Sequence, residues 1–488
     1  MSATKGLEMA SASIIERVLA DIAKRITPSE NERRKVLSLA DTLVRRVKTA
    51  ADKAKVEARV RIEGSVAKDT WLRDEPDIDI FMQLPTSTPR KALGTVCLNI
   101  AKEATKGSKQ VERFAEHPYL EAFVDSIRVN IVPCYEAKPG EWLSATDRTP
   151  YHTDFVKPRL NNELRREIRL VKRFMKGVGA YGAEIKVGGF SGYLCELLTL
   201  HYSTFANVLK TAANWRKPWV VDYQSYYKGK EEDLPKIFME PLIVVDPVDK
   251  GRNVASAVRL ERLIEFVTAS RQFLQHPTRE FFLPKPMKPL GEKQLVARMK
   301  QSATALVFVG IGEVGAVPDI LWGQLYKTQR SLRKMLEQND FHVINDAVWS
   351  NEASLSVLLF EVEHRFLPLT RKHLGPPVEK RVECERFLQK HLGRSTTVSG
   401  PRLEDERWVV EIKRKHTDIV KLLETELRQG GRHVGVAELV SKAVAKKVNI
   451  FVNQEIVDTY RRNGDFAEFL TQHVDGKPGW LVEAGKNQ

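Results

Sequence analysis

The chain has 488 residues, 42% of them hydrophobic and 29% charged, which describes a multidomain globular protein rather than a disordered one. Its formal net charge of +15 favours a polyanionic partner, most simply nucleic acid. Cys97, Cys134, Cys195 and Cys384 lie far apart and form no C-x-x-C pair, so neither a zinc finger nor a disulfide framework is indicated, and they read as buried thiols in a reducing cytoplasm. The N-terminus lacks a long apolar run, and the most apolar stretch, 303–317, is interrupted by Gly310, Gly312 and Glu313. Neither secretion nor a membrane span is expected.

Residues 12–27 and 29–56 carry helical periodicity, and Ser29 after Thr27-Pro28 is the expected N-cap of the second helix. Residues 57–63 alternate as a strand that Gly64-Ser65 ends, 65–73 suit a short helix, and 77–84 (DIDIFMQL) a second strand. A helix is expected at 90–107, one or two strands ended by Pro133 at 123–134, and a boundary loop at 137–153. Residues 163–205 read as mainly helical with glycine breaks, 241–249 as a buried extended segment, and 254–276 as another helix.

The proline-rich run 281–289 is a stiff linker. Beyond it, strands at 303–311 and 354–363 flank a helix at 320–338, a small α+β domain with its sheet covered on one face. From 378 onward the chain is charge-rich and mostly helical. Lys413, Arg414, Lys415, Lys446 and Lys447 are its candidate nucleic-acid contacts.

The sharpest chemical signal is Asp77-Ile78-Asp79. On a strand, residues two apart point to one side, so both carboxylates face one space while Ile78 and Ile80 pack behind. Two such carboxylates repel unless a cation lies between them, and Mg²⁺ suits a few carboxylates plus substrate phosphates. A D-x-D pair alone is common on solvated strand ends. Upstream, Gly64 lets backbone approach a phosphate, Ser65 offers a hydroxyl and an N–H, and Lys68 adds positive charge.

The run from Gly64 to Arg73 followed by Asp77-Ile78-Asp79-Ile80-Phe81 resembles the head of archaeal-type (class I) CCA-adding tRNA nucleotidyltransferases, of the DNA polymerase β superfamily. The likeness continues in order through His117-Pro118-Tyr119, Val132-Pro133-Cys134-Tyr135, residues 147–152, residues 181–184, residues 189–198 and Asp246-Pro247-Val248-Asp249 through Ala255. It covers most of 10–260 and weakens beyond 290.

That resemblance implies an α+β multidomain chain. It would have a polymerase β-like nucleotidyltransferase head of mixed sheet and helices (1–150), a helical neck that recognises the nucleotide base (151–280), a small α+β body (281–377) and a mainly helical basic tail that contacts tRNA (378–488). The implied activity is template-independent addition of C, C and A to the tRNA 3′ end from CTP and ATP. Asp77 and Asp79 would hold Mg²⁺, and Ser65 and Lys68 would contact the triphosphate. His152, Lys172 and Tyr181 would line the ribose and phosphates, and Arg252 would lie against the base. The family often has Arg at the Lys68 position, which implies a weaker phosphate grip here.

The family's third catalytic carboxylate falls at Asn130, whose amide ligates Mg²⁺ more weakly and cannot act as general base. Asp125 would face the other way on a continuous strand. Two alternatives follow, a catalytically impaired tRNA-binding paralog motivated by Asn130 and a poly(A) polymerase-like terminal transferase. The oligomeric state stays open, a homodimer being one expectation.

Overall fold

The computed structural model describes residues 2–114 and 117–481. They fall into two units, one reaching Pro286 and resuming at Lys477, the other spanning Met287–Gly476.

In the first unit, α1 (Ser2–Ile26) ends before Thr27-Pro28 and α2 (Glu30–Lys53) restarts with a reciprocal cap. Ser29 Oγ accepts from the Glu32 N–H at 3.3 Å, and the Glu32 carboxylate accepts from the Ser29 N–H at 2.7 Å. Then come β1 (Arg59–Glu63), the short helix α3 (Gly64–Lys68), β2 (Asp77–Leu84), α4 (Arg90–Ala104), β3 (Lys109–Phe114), β4 (Pro118–Val124) and β5 (Ile127–Tyr135). The sheet order is β1-β2-β5-β4-β3, with β2 and β5 parallel and the other neighbours antiparallel. Ile78, Ile80, Val129 and Ile131 are fully buried against α2 and α4. By strand alternation Asp77, Asp79, Arg128 and Asn130 take the opposite face.

Of the one or two strands expected over 123–134, the structure has two, joined as a hairpin. Asp125 and Ser126, with φ of 50° and 66°, form the two-residue turn between β4 and β5. Asp125 thus lies in a turn and not on a continuous strand. Pro133 does not end β5, because the β4 pairing stops at Ile131 and no ladder bond to β4 is demanded of Pro133.

Next are α5 (Thr149–Val156), which begins inside the expected loop with Pro150 in its first turn, α6 (Asn162–Gly177), α7 (Gly192–Tyr202) and α8 (Phe205–Ala212). A small sheet, β6 (Trp219–Val221), β7 (Leu242–Asp246) and β8 (Asp249–Asn253), is interrupted by α9 (Leu234–Ile237) and followed by α10 (Leu260–Gln275). Phe174, Phe190, Phe205, Phe266, Phe273 and Phe282 fill the helical core. The returning Trp480 joins that core by stacking on Phe281 at 5.4 Å, which is why the end of the described chain belongs to this unit.

The second unit runs α11 (Glu292–Gln301), β9 (Ala305–Ile311), α12 (Pro318–Gln338), β10 (Val343–Ser350), β11 (Ser356–Val362), β12 (Thr370–Pro377), α13 (Arg381–His391), β13 (Thr397–Glu404), β14 (Arg407–Lys413), α14 (Ile419–Leu427), α15 (Glu438–Lys446), β15 (Val448–Val452), α16 (Val457–Arg462) and α17 (Gly464–Asp475). One sheet has the order β10-β11-β9-β15 and another β12-β14-β13.

Three expectations change here. The first sheet is covered on both faces: Val307, Val309 and Phe360 pack in one core, and Leu306, Phe308 and Leu359 in another. No boundary at 377/378 isolates a tail, because β15 pairs with β9 through Ile450 and Val309. Residues 407–413, expected within a helical run, form β14, so Lys413 ends a strand and Arg414 and Lys415 follow it.

Candidate active site on the open face of the first sheet

β1 delivers the chain into α3 through Gly64 at φ +69°, a conformation that L side chains rarely adopt. A Cβ there would run into the carboxylate of Asp79, so the glycine also gives that side chain its room. Immediately beyond, Asp77 and Asp79 open from β2 into a cleft of about 290 Å³. Ser65, Lys68, His152, Lys172 and Tyr181 line the same cleft, which therefore gathers seven of the nine residues expected at the catalytic and nucleotide sites.

Asp79 is half-buried at the cleft wall, and its desolvation lifts its carboxyl to about 6, although a hydrogen bond from Asn130 opposes the rise. The register sets Asn130 beside Asp79, and its Nδ2 donates to Asp79 Oδ1 at 2.9 Å. Two residues earlier on β5, Arg128 sits opposite Asp77 and binds it through both arms. Nε donates to Oδ1 at 2.9 Å, and Nη2 donates to Oδ2. Strand alternation places any residue two from Asn130 on the same face, which is the signal by which the sequence could have revealed Arg128.

The positive side of the cleft depends on Glu196 of α7, which sequence reasoning missed. Lys68 Nζ lies 2.5 Å from Glu196 Oε2, and Lys172 Nζ 2.9 Å from Oε1. Thr70 Oγ1 donates to Oε1 at 2.6 Å and accepts from Lys172 at 3.0 Å. Burial alone raises the Glu196 carboxyl, but Lys172 and Lys68 hold it down to about 2. Burial also lowers the Lys172 ammonium against the pull of Glu196. Two ammonium groups on one carboxylate leave a surplus positive charge facing the cleft, suited to a polyphosphate.

A second unforeseen hub is Asp246, fully buried at the end of β7. His152 Nε2 lies 2.9 Å from its Oδ2, and because a carboxylate only accepts, Nε2 carries the proton. Arg252 Nη1 donates to the same oxygen at 2.7 Å, and the Tyr193 hydroxyl to Oδ1 at 3.2 Å. The His152 and Tyr193 rings stack at 3.9 Å, and burial lowers the imidazole below its usual value. Arg252 is joined to the cleft through Asp246 rather than lining it. Tyr181 reaches the cleft because α7 starts with Gly192, whose Cβ would stand 2.9 Å from the tyrosine oxygen.

The basic residues of the second unit divide. Arg414 is engaged internally, donating to Asp340 at 3.1 Å and to the Pro368 and Thr370 carbonyls at 2.8 and 2.6 Å. Lys413, Lys415, Lys446 and Lys447 are exposed. Among the described residues no helix is long and apolar enough to cross a membrane, and all four cysteines are buried free thiols.

Residues 44–152 match a family model described as a nucleotidyltransferase domain, 166–283 one described as tRNA nucleotidyltransferase, second domain, and 302–453 one described as CCA-adding enzyme, C-terminal domain. The chain is similar to the CCA-adding enzyme of Methanosarcina barkeri, with 37% identity covering 85% of this chain and 90% of the relative. Its similarity to that of Methanothermobacter thermautotrophicus is also 37%, covering 86% and 90%. The CCA-adding enzyme of Methanosarcina mazei is 34% identical, covering 95% and 99%.

Proposed function

This chain belongs to the family of CCA-adding enzymes, and on that premise we propose that Asp77 and Asp79 mark the centre at which it adds C, C and A to the tRNA 3′ end. The reaction is nucleotidyl transfer without a template. The tRNA 3′-hydroxyl gives up its proton to solvent water and its oxygen bonds to the α-phosphorus of CTP or ATP, while the bond from that phosphorus to the bridging oxygen breaks and pyrophosphate leaves. The observation that carries this placement is that the carboxylate pair and the lysine pair open on one cleft.

Nucleotidyltransferases use divalent metal ions, and Mg²⁺ is the cation we assign here. The donor set fits it. Asp77 and Asp79 are hard oxygen ligands on one side of β2, and Gly64 leaves the space in front of Asp79 open. A cation held there would neutralise charge at the transferring phosphate and the departing pyrophosphate. Lys68 and Lys172, fixed by Glu196, hold the triphosphate oxygens, and Ser65 adds a hydroxyl. His152 and Tyr193, fixed by Asp246, give the nucleoside a flat, rigid wall, and Arg252 on the same carboxylate adds a donor fork for reading the base edge. Asn130 has no carboxylate with which to take the proton of the primer hydroxyl.

In the second unit Lys413, Lys415, Lys446 and Lys447 meet tRNA phosphates, a contact driven by charge and backbone shape rather than base sequence. The buried free thiols suit the reducing cytoplasm. The test is incorporation from CTP and ATP with Mg²⁺ into tRNA ending before, within and after CCA. We expect addition that completes CCA and stops there. Open-ended addition of A to unrelated RNA would replace this reading with a terminal polymerase.

A further inference from the structure

The two carboxylates assigned to the cation are not equally available to one. Asp77 gives both oxygens to Arg128 in a bidentate pair, and Asp79 accepts from the Asn130 amide. A guanidinium held by both arms uses the same lone pairs that a divalent cation takes, and it repels that cation at close range. With Asn130 adding no charge, the Asp77, Asp79 and Arg128 group presents one net negative charge to an incoming dication.

Arg128 also has somewhere else to go. Its Nη1 lies 3.9 Å from Glu121 Oε2, on the adjacent strand β4, while Arg113 holds the other oxygen of Glu121 at 2.8 Å. The Arg128 side chain is 47% exposed, so no packed core pins it in place.

We infer that Arg128 competes with the divalent cation for Asp77 and gives way toward Glu121 when the cation binds, so that it sets how much cation the site requires. This rests on the assignment of Asp77 and Asp79 as cation ligands. A triphosphate brings negative charge of its own, so the site loads its cation far more readily with nucleotide present than without. Arg128 thereby ties cation entry to nucleotide entry.

The experiment is Mn²⁺ binding to the full chain, followed by loss of the free-ion paramagnetic resonance signal with and without CTP and corrected by a protein-free titration for the Mn²⁺ that CTP itself binds, which reads occupancy and not turnover. The variants are Arg128→Ala, Arg128→Gln (which keeps most of the stem) and Asp77→Ala, each checked by circular dichroism. Removing the guanidinium should tighten Mn²⁺ binding without nucleotide by about tenfold or more and shrink the gain that CTP provides. Unchanged or weaker binding in both Arg128 variants, with binding lost in Asp77→Ala, would overturn the competition and leave the ligand assignment standing. Binding that persists unchanged in Asp77→Ala would overturn the ligand assignment itself.

Discussion

Lys68 Nζ and Glu196 Oε2 lie 2.5 Å apart, with 5% and 1% of their side chains exposed. The same carboxylate takes Lys172 at 2.9 Å, so one buried acid on α7 positions two cations from different parts of the unit. Glu196→Gln strands two ammonium groups away from water. We expect it to destabilise the first unit by about 3 kcal/mol or more and to weaken CTP binding, measured by denaturant melts and calorimetry. The pH dependence has a definite sign. The Glu196 carboxyl is held at about 2 against an ordinary 4.5, so its stabilisation is complete above about 4.5 and is lost as pH falls toward 2. That acid-side loss should be absent from the Gln variant's stability profile.

Gly64→Ala places a methyl group against the Asp79 carboxylate and a non-glycine residue at φ +69°. Strain of about 1–2 kcal/mol is expected from the backbone alone. The larger effect should fall on turnover, down by about a hundredfold from displacement of a reacting-site group, while tRNA affinity in a filter-binding titration stays unchanged.

Asp246→Asn keeps the volume of the hub but removes the charge shared by His152, Tyr193 and Arg252. Losing charge-assisted bonds of this kind should lower kcat/KM for nucleotide by about 10- to 100-fold. Single-nucleotide incorporation with CTP and ATP separately should show weaker discrimination between them. Equal losses for both nucleotides would place the hub in support of the fold rather than in base choice.

The exposed and the engaged basic residues of the second unit should separate in two measurements. Replacing Lys446 and Lys447 together by Ala should reduce the slope of log affinity for tRNA against log salt by about one to two. Arg414→Ala, which removes bonds to Asp340 and two carbonyls, should instead lower the melting temperature of the second unit.

Much of the site was legible because strand alternation and short spacings are local properties. Asp77, Asp79, Ser65 and Lys68 follow from one strand, one glycine turn and one short helix, and the order of the surrounding segments supplied His152, Lys172 and Tyr181. Glu196 and Asp246 lie within recognisable segments, yet their roles depend on partners 24 to 128 and 6 to 94 positions away, which no local pattern reports. The turn that takes Asp125 off the strand was not legible, because positions 125–126 carry Asp-Ser rather than the Gly that usually marks such turns. Residues 407–413 read as helix because their charges mask the alternation of a half-exposed strand, and the pairing of β15 with β9 joins residues about 140 apart, a separation that only tertiary structure settles.

In the function proposed above, the Asp77–Asp79 pair performs the transfer while other parts of the chain hold tRNA. Asp77→Ala tests it most directly, with single-turnover incorporation of labelled CMP into tRNA lacking CCA measured beside tRNA affinity on the same preparation. Incorporation should be abolished while affinity stays within about twofold of the unmodified protein, since a carboxylate has no attraction for tRNA phosphates. Incorporation that survives the substitution would contradict it.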